Sequence, residues 1–114
     1  MSSIFHYTNS KGYKGIGSSP EWLFRAAQPP GDPEDHPFGA YFTDLPEHEP
    51  MLANKLRIPR DKIRYVFEFF DQGDLRRVRG YRGRYVFYSR VDYKVGRERQ
   101  IRASPTSIGA KESI

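Results

Sequence analysis

Two short runs in this chain bring together the residue types best suited to chemistry: Phe5-His6-Tyr7-Thr8, and some thirty residues later Gly39-Ala40-Tyr41-Phe42-Thr43-Asp44. Each run reads as the end of a strand. Pairing them would place an imidazole and a phenol ring in one cleft, where the imidazole can accept from or donate to a hydroxyl and the ring can stack on a flat cation. A lone strand histidine is more often a hydrogen-bonded structural residue, so the second run carries the weight. His36 and His48 sit in or beside proline-rich segments and read as surface residues. With no cysteine and no ligand spacing among the three histidines, a zinc site is not expected. A P-loop, a GxGxxG turn and a nucleophile elbow are all missing, which removes the common nucleotide and hydrolase motifs.

The elements that would position these residues can be read around them. Ile4–Tyr7 is a first strand, and Thr8 or Asn9 caps a short helix over Ser10–Ile16, weakened by Gly12 and Gly15. Glu21–Arg25 reads as a second strand. Gln28–Pro37 carries four prolines, which excludes helix and central strand and leaves a loop that can act as a lid before Gly39. Asp44 is placed to cap a helix over Leu45–Leu56, with Pro46 in its first turn and Pro59 ending it. Ile63–Phe70 is the strongest strand. Strands at Leu75–Arg79 and Arg84–Ser89, joined by a turn at Gly80–Gly83, and a last strand at Glu98–Arg102 complete an α+β pattern. The domain is expected to span 1–103, with 104–114 a frayed tail.

Bulk properties set the outer bounds. At 114 residues the chain fits one domain, and its sixteen Tyr and Phe residues plus Trp22 must supply much of the core. Mean hydropathy of −0.78 leans polar, but 15% aromatic residues argue against disorder. No apolar run is long enough for a membrane span and the N-terminus lacks signal-peptide features, so a soluble, monomeric chain is expected, either cytoplasmic or delivered as an effector. Charge is divided: residues 1–56 have net charge −3 and residues 57–102 net +8. The stretch from Arg76 to Tyr85 interleaves arginine with aromatic residues, a composition suited to nucleic acid or to a phosphate-rich ligand, or to a solvated strand face.

The runs Phe5-His6-Tyr7-Thr8, Lys11-Gly12-Tyr13-Lys14-Gly15-Ile16 and Phe38-Gly39-Ala40-Tyr41-Phe42-Thr43-Asp44-Leu45, in that order and spacing, resemble the ADP-ribosyltransferases that carry the HYD1 signature, a toxin-like branch of that superfamily. The resemblance covers the first 45 residues well and the last third loosely. It implies a split, bent β core with small helices around a cleft for NAD, the substrate, and no metal. It implies that His6 holds the ribose hydroxyl, that the Tyr7 backbone meets the carboxamide, and that Tyr41 stacks on nicotinamide. Thr8 and Thr43 would shape the floor. A third, acidic station would stabilise positive charge on the ribose as nicotinamide leaves. Asp92 is the favoured residue there, with Glu98, Gln100 and Glu68 as rivals. Arg25 is expected at the cleft mouth on the pyrophosphate, with Arg57 and Arg64 also open to that role. The expected activity is transfer of ADP-ribose to a macromolecular acceptor, protein or nucleic acid, or to water. The alternatives are a non-catalytic basic module for nucleic acid and a degenerate fold of the same family kept for interaction.

Overall fold

The computed structural model describes residues 2–31, 34 and 36–108. It is an α+β fold with a six-stranded antiparallel sheet and a separate two-stranded one. The strands are β1 (Ser3–Thr8), β2 (Trp22–Phe24), β3 (Ala40–Thr43), β4 (Tyr65–Phe70), β5 (Arg76–Arg77), β6 (Val86–Ser89), β7 (Tyr93–Val95) and β8 (Gln100–Pro105). The helices are α1 (Ser10–Gly17) and α2 (Leu52–Leu56). The large sheet runs β5-β6-β3-β1-β4-β8, and β2 pairs with β7. Among the described residues no helix is long and apolar enough to cross a membrane.

The large sheet is covered on both faces at β4, which is why that strand reads as a near-continuous apolar run with Val66, Phe67 and Phe69 fully buried. On one face Ile4, Phe42, Phe67 and Phe69 pack against Trp22, Phe24, Tyr93 and Val95 of the small sheet. This core is aromatic and meets largely edge to face. Trp22 and Phe67 stand 5.0 Å apart at 70°, Phe24 and Phe42 5.2 Å apart at 81°. On the other face Phe5, Tyr7, Val66 and Val86 are covered by Leu52 and Leu56 of α2 and by Ile63. The same strand β1 therefore feeds two cores, with alternate residues turned to opposite sides.

β1 is paired over its whole length with β4, from Ser3↔Phe70 to Thr8↔Tyr65, but registers with β3 at one pair only, Phe5↔Thr43. The sheet is nearly divided between β1 and β3. α1 begins at Asn9, whose side chain accepts from the Gly12 N–H at 3.0 Å. Gly12 is required there, because a Cβ would lie 1.9 Å from the Thr8 hydroxyl.

The observed elements depart from expectation at four places. The helix expected from Leu45 is confined to Leu52–Leu56: Pro50 has no N–H to give and Met51 turns to φ 60°, so 45–51 form turns. Glu47 and Glu49 in this segment form ion pairs, Glu49 to Lys55 and Glu47 to Arg102, each at 3.0 Å. β7 lies where no element was expected, pairing Trp22↔Val95 and Phe24↔Tyr93. The last strand starts at Gln100 and continues to Pro105, because β4 offers it an edge down to Tyr65. Thr106, expected in the frayed tail, is buried and donates to the Ile63 carbonyl at 2.6 Å; residues 109–114 lie outside the described residues.

Candidate functional site: a cationic cavity at the divided sheet

A cavity of about 460 Å³ opens where β1 and β3 part. Its floor is Phe5, Tyr7, Tyr41 and Thr43, with Val86 beside them. One wall is the end of α2 and the turn after it, Leu56 to Pro59 and Lys62. The proline-rich loop supplies Pro29, Pro30 and His36 opposite. This loop is pinned at its base, where Ala27 and Gly39 exchange both backbone hydrogen bonds at 3.0 Å. Gly39 is fixed by close approach, since a Cβ would stand 2.6 Å from the Ser89 carbonyl oxygen.

His6 follows directly on the last registered pair of β1 and β3. Its ring bridges the two strands there: Nδ1–H donates to the Tyr41 carbonyl at 2.8 Å, which leaves Nε2 as an acceptor. Phe24 and Phe42 pack on the ring at 4.8 and 5.6 Å. This burial lowers the pKa to about 4, against the opposing pull of the Tyr41 carbonyl, and nearby Lys62 lowers it further. The imidazole is thus neutral at pH 7. Tyr41 stacks on Tyr88 at 5.9 Å and donates its hydroxyl to the Pro37 carbonyl at 2.5 Å, tying the loop to β3. Burial raises its pKa, so the phenol stays protonated. Tyr7 donates to the Leu45 carbonyl at 2.8 Å and Thr43 to the Tyr85 carbonyl at 2.5 Å. Both hydroxyls serve to hold the turn after β3, and Thr43 also accepts from the Leu45 N–H.

Arg57, Lys62 and Arg82 line the cavity, and among the described lining residues none is an aspartate or glutamate. Arg57 ends α2 in a left-handed conformation at φ 56°, and Lys62 lies on the 3-10 turn Arg60–Ile63. Arg82, on the 3-10 turn Tyr81–Arg84, donates to His36 Nδ1 at 3.1 Å and so joins that turn to the loop. An anion entering the cavity meets cations from three separate turns.

The structure brings His6, Tyr7, Tyr41, Thr43 and Arg57 to one cavity. It does not bring Thr8, Arg25 or Asp92 there. Thr8 is buried beside Gly12, and Arg25 is exposed beyond β2. Asp92 accepts from the Ala26 N–H at 2.8 Å and so joins the ends of β2 and β7. Of its rivals, Gln100 donates to the Pro20 and Val95 carbonyls, and Glu98 is exposed on the turn before β8. Glu68 stands cross-strand from Phe5, with its carboxylate 3.0 Å from the Arg102 guanidinium. Arg64 pairs with Asp61 at 3.2 Å. Lys62, Arg82 and His36 are cavity residues that sequence reasoning did not place there. Each sits on a turn that no periodicity marks.

The chain matches no family model, no curated protein and no solved structure. The site therefore rests on its own geometry. No group of His, Cys, Asp or Glu among the described residues can hold a metal ion. What the arrangement offers is a neutral imidazole acceptor, a tyrosine ring and three cations around an apolar floor. That set suits a ligand combining a flat ring, hydroxyls and phosphate groups.

Proposed function

We propose that the cavity binds NAD, and that the chain is an ADP-ribosyltransferase built on a split, bent β core of that family's kind. It would cleave the nicotinamide–ribose bond and pass ADP-ribose to a macromolecule or to water. The observation that carries this reading is the meeting of His6 and Tyr41 at the parted strands, beside a rim of three cations. In it, His6 accepts from a ribose hydroxyl through Nε2, the nitrogen left after the bond to Tyr41. The Tyr41 ring offers its face to the pyridinium, and the Tyr7 backbone meets the carboxamide. Arg57, Lys62 and Arg82 take the pyrophosphate, in place of the Arg25 expected from sequence. The donor set fits the substrate: hydroxyl, cationic ring and phosphate each find a complementary group.

Heterolysis at C1′ sends the bonding pair out with nicotinamide and leaves positive charge on the ribose. A neutral His6 lets that charge develop without opposing it. Purified protein with NAD, followed by chromatography for free nicotinamide, tests the reading. Release that falls at least tenfold in His6→Ala and Tyr41→Ala is expected; no release at high protein concentration counts against cleavage.

A second reading, binding of NAD without turnover, is favoured by the absence of a carboxylate among the described lining residues. Under it, calorimetry detects NAD binding that His6→Ala weakens, while nicotinamide release stays at the solvent rate. Absence of binding and release together would overturn both.

A further inference from the structure

The sixteen residues from 75 to 90 contain six arginines and no aspartate or glutamate. They form one edge of the large sheet, from β5 through the turn Tyr81–Arg84 to β6. Two of these arginines have internal work. Arg77 donates to the Gly83 carbonyl at 2.7 Å and lies 4.7 Å over the Phe87 ring, and Arg82 lines the cavity. Arg76, Arg79 and Arg84 are exposed and form no ion pair among the described residues. Between them stands Tyr81, 71% exposed, with the Arg84 guanidinium 4.7 Å from its ring centroid. A large ring left this far out of the core adds little to folding.

We propose that this edge binds single-stranded nucleic acid. Exposed guanidinium groups without carboxylate partners match the phosphates of a strand. The Tyr81 ring offers a platform for an unpaired base, with Arg84 continuing the stack. A duplex keeps its bases stacked within itself and presents no free face to Tyr81. An acidic protein satisfies the arginines but leaves the tyrosine unused. The surface stands apart from the NAD reading of the cavity, although Arg82 and Val86 make the two adjoin.

Fluorescence anisotropy of the whole chain with labelled 15-nucleotide oligo-dT, oligo-rU, a hairpin duplex and a poly-glutamate peptide tests the inference. Both single strands bind best, and log K falls with log salt at a slope of about −2, as three neutralised phosphates require. Arg76→Gln/Arg79→Gln/Arg84→Gln weakens binding at least tenfold at 50 mM salt and flattens the slope, whereas the matching triple lysine variant keeps the slope. Tyr81→Ser weakens binding about tenfold with the slope unchanged, and Tyr81→Phe retains it. Circular dichroism confirms that each variant folds. No strand binding at 50 mM salt, equal binding of the peptide or the duplex, or a slope untouched in the glutamine triple overturns the proposal. Nicotinamide release, read in parallel on the wild type, bears only on the cavity.

Discussion

Lowering the pH from 7 to 5 should weaken this fold through His6. The ring is held neutral by burial, with a folded-state pKa of about 4 against 6.5 for a free imidazole. Between those values the unfolded chain binds a proton that the folded chain refuses, so stability rises with pH across the window and is lost as pH falls. At pH 5 the linkage removes about 2 kcal/mol relative to pH 7, and well below pH 4 about 3 kcal/mol. That is a sizeable part of the total stability of a domain this small. Urea unfolding at pH 7, 6 and 5 measures it. The comparison is with His6→Asn, whose amide can still donate to the Tyr41 carbonyl but does not titrate. Other groups titrate alike in both proteins and cancel in the difference. The wild type should lose about 2 kcal/mol more than the variant between pH 7 and 5, with equal m-values. Equal losses in the two proteins would refute the buried, neutral imidazole.

Three further outcomes follow from the geometry. Gly39→Ala places a methyl 2.6 Å from the Ser89 carbonyl and should destabilise the fold by about 2 kcal/mol, seen as a Tm lower by several degrees in a thermal melt. Arg57→Ala/Lys62→Ala removes two of three cavity cations; calorimetry should show NAD affinity about tenfold weaker at low salt, with the gap narrowing as salt rises. Arg102→Met leaves Glu47 and Glu68 facing each other, largely buried, and should lower stability by about 2 kcal/mol in urea unfolding, partly restored by adding Glu68→Gln.

How far the sequence could be read depended on whether a residue's role was local. β1, β4 and the Asn9 cap of α1 follow from short-range rules, apolar runs and a side chain within three residues of the N–H it meets. β7 is three residues long, and only pairing with β2 makes it a strand, so the alternation of Tyr93, Lys94 and Val95 was too short to stand out. The Leu45 helix failed where a second proline and a left-handed residue outweighed a good cap. For the site, His6 and Tyr41 were legible because each lies in an ordered run. Of the cations, Arg57 was one of several arginines open to the role, whereas Lys62 and Arg82 were not legible there, because they come from turns whose placement is set by tertiary packing. Asp92 has the residue type of a catalytic acid, but its bond to Ala26 is a structural tie between strand ends.

The single registered pair between β1 and β3 makes the sheet mechanically uneven. Across that seam rings do much of the holding: Phe42 meets Phe24 at 5.2 Å and Phe69 at 5.6 Å, and the His6 imidazole and the Tyr7 hydroxyl add polar ties. Ring contacts slide at small cost, whereas ladder hydrogen bonds break in steps. The seam is therefore the compliant line of the molecule, and aromatic burial that weakens on cooling makes it softer in the cold. A guest that widens the cavity displaces rings and leaves the β1–β4 ladder whole.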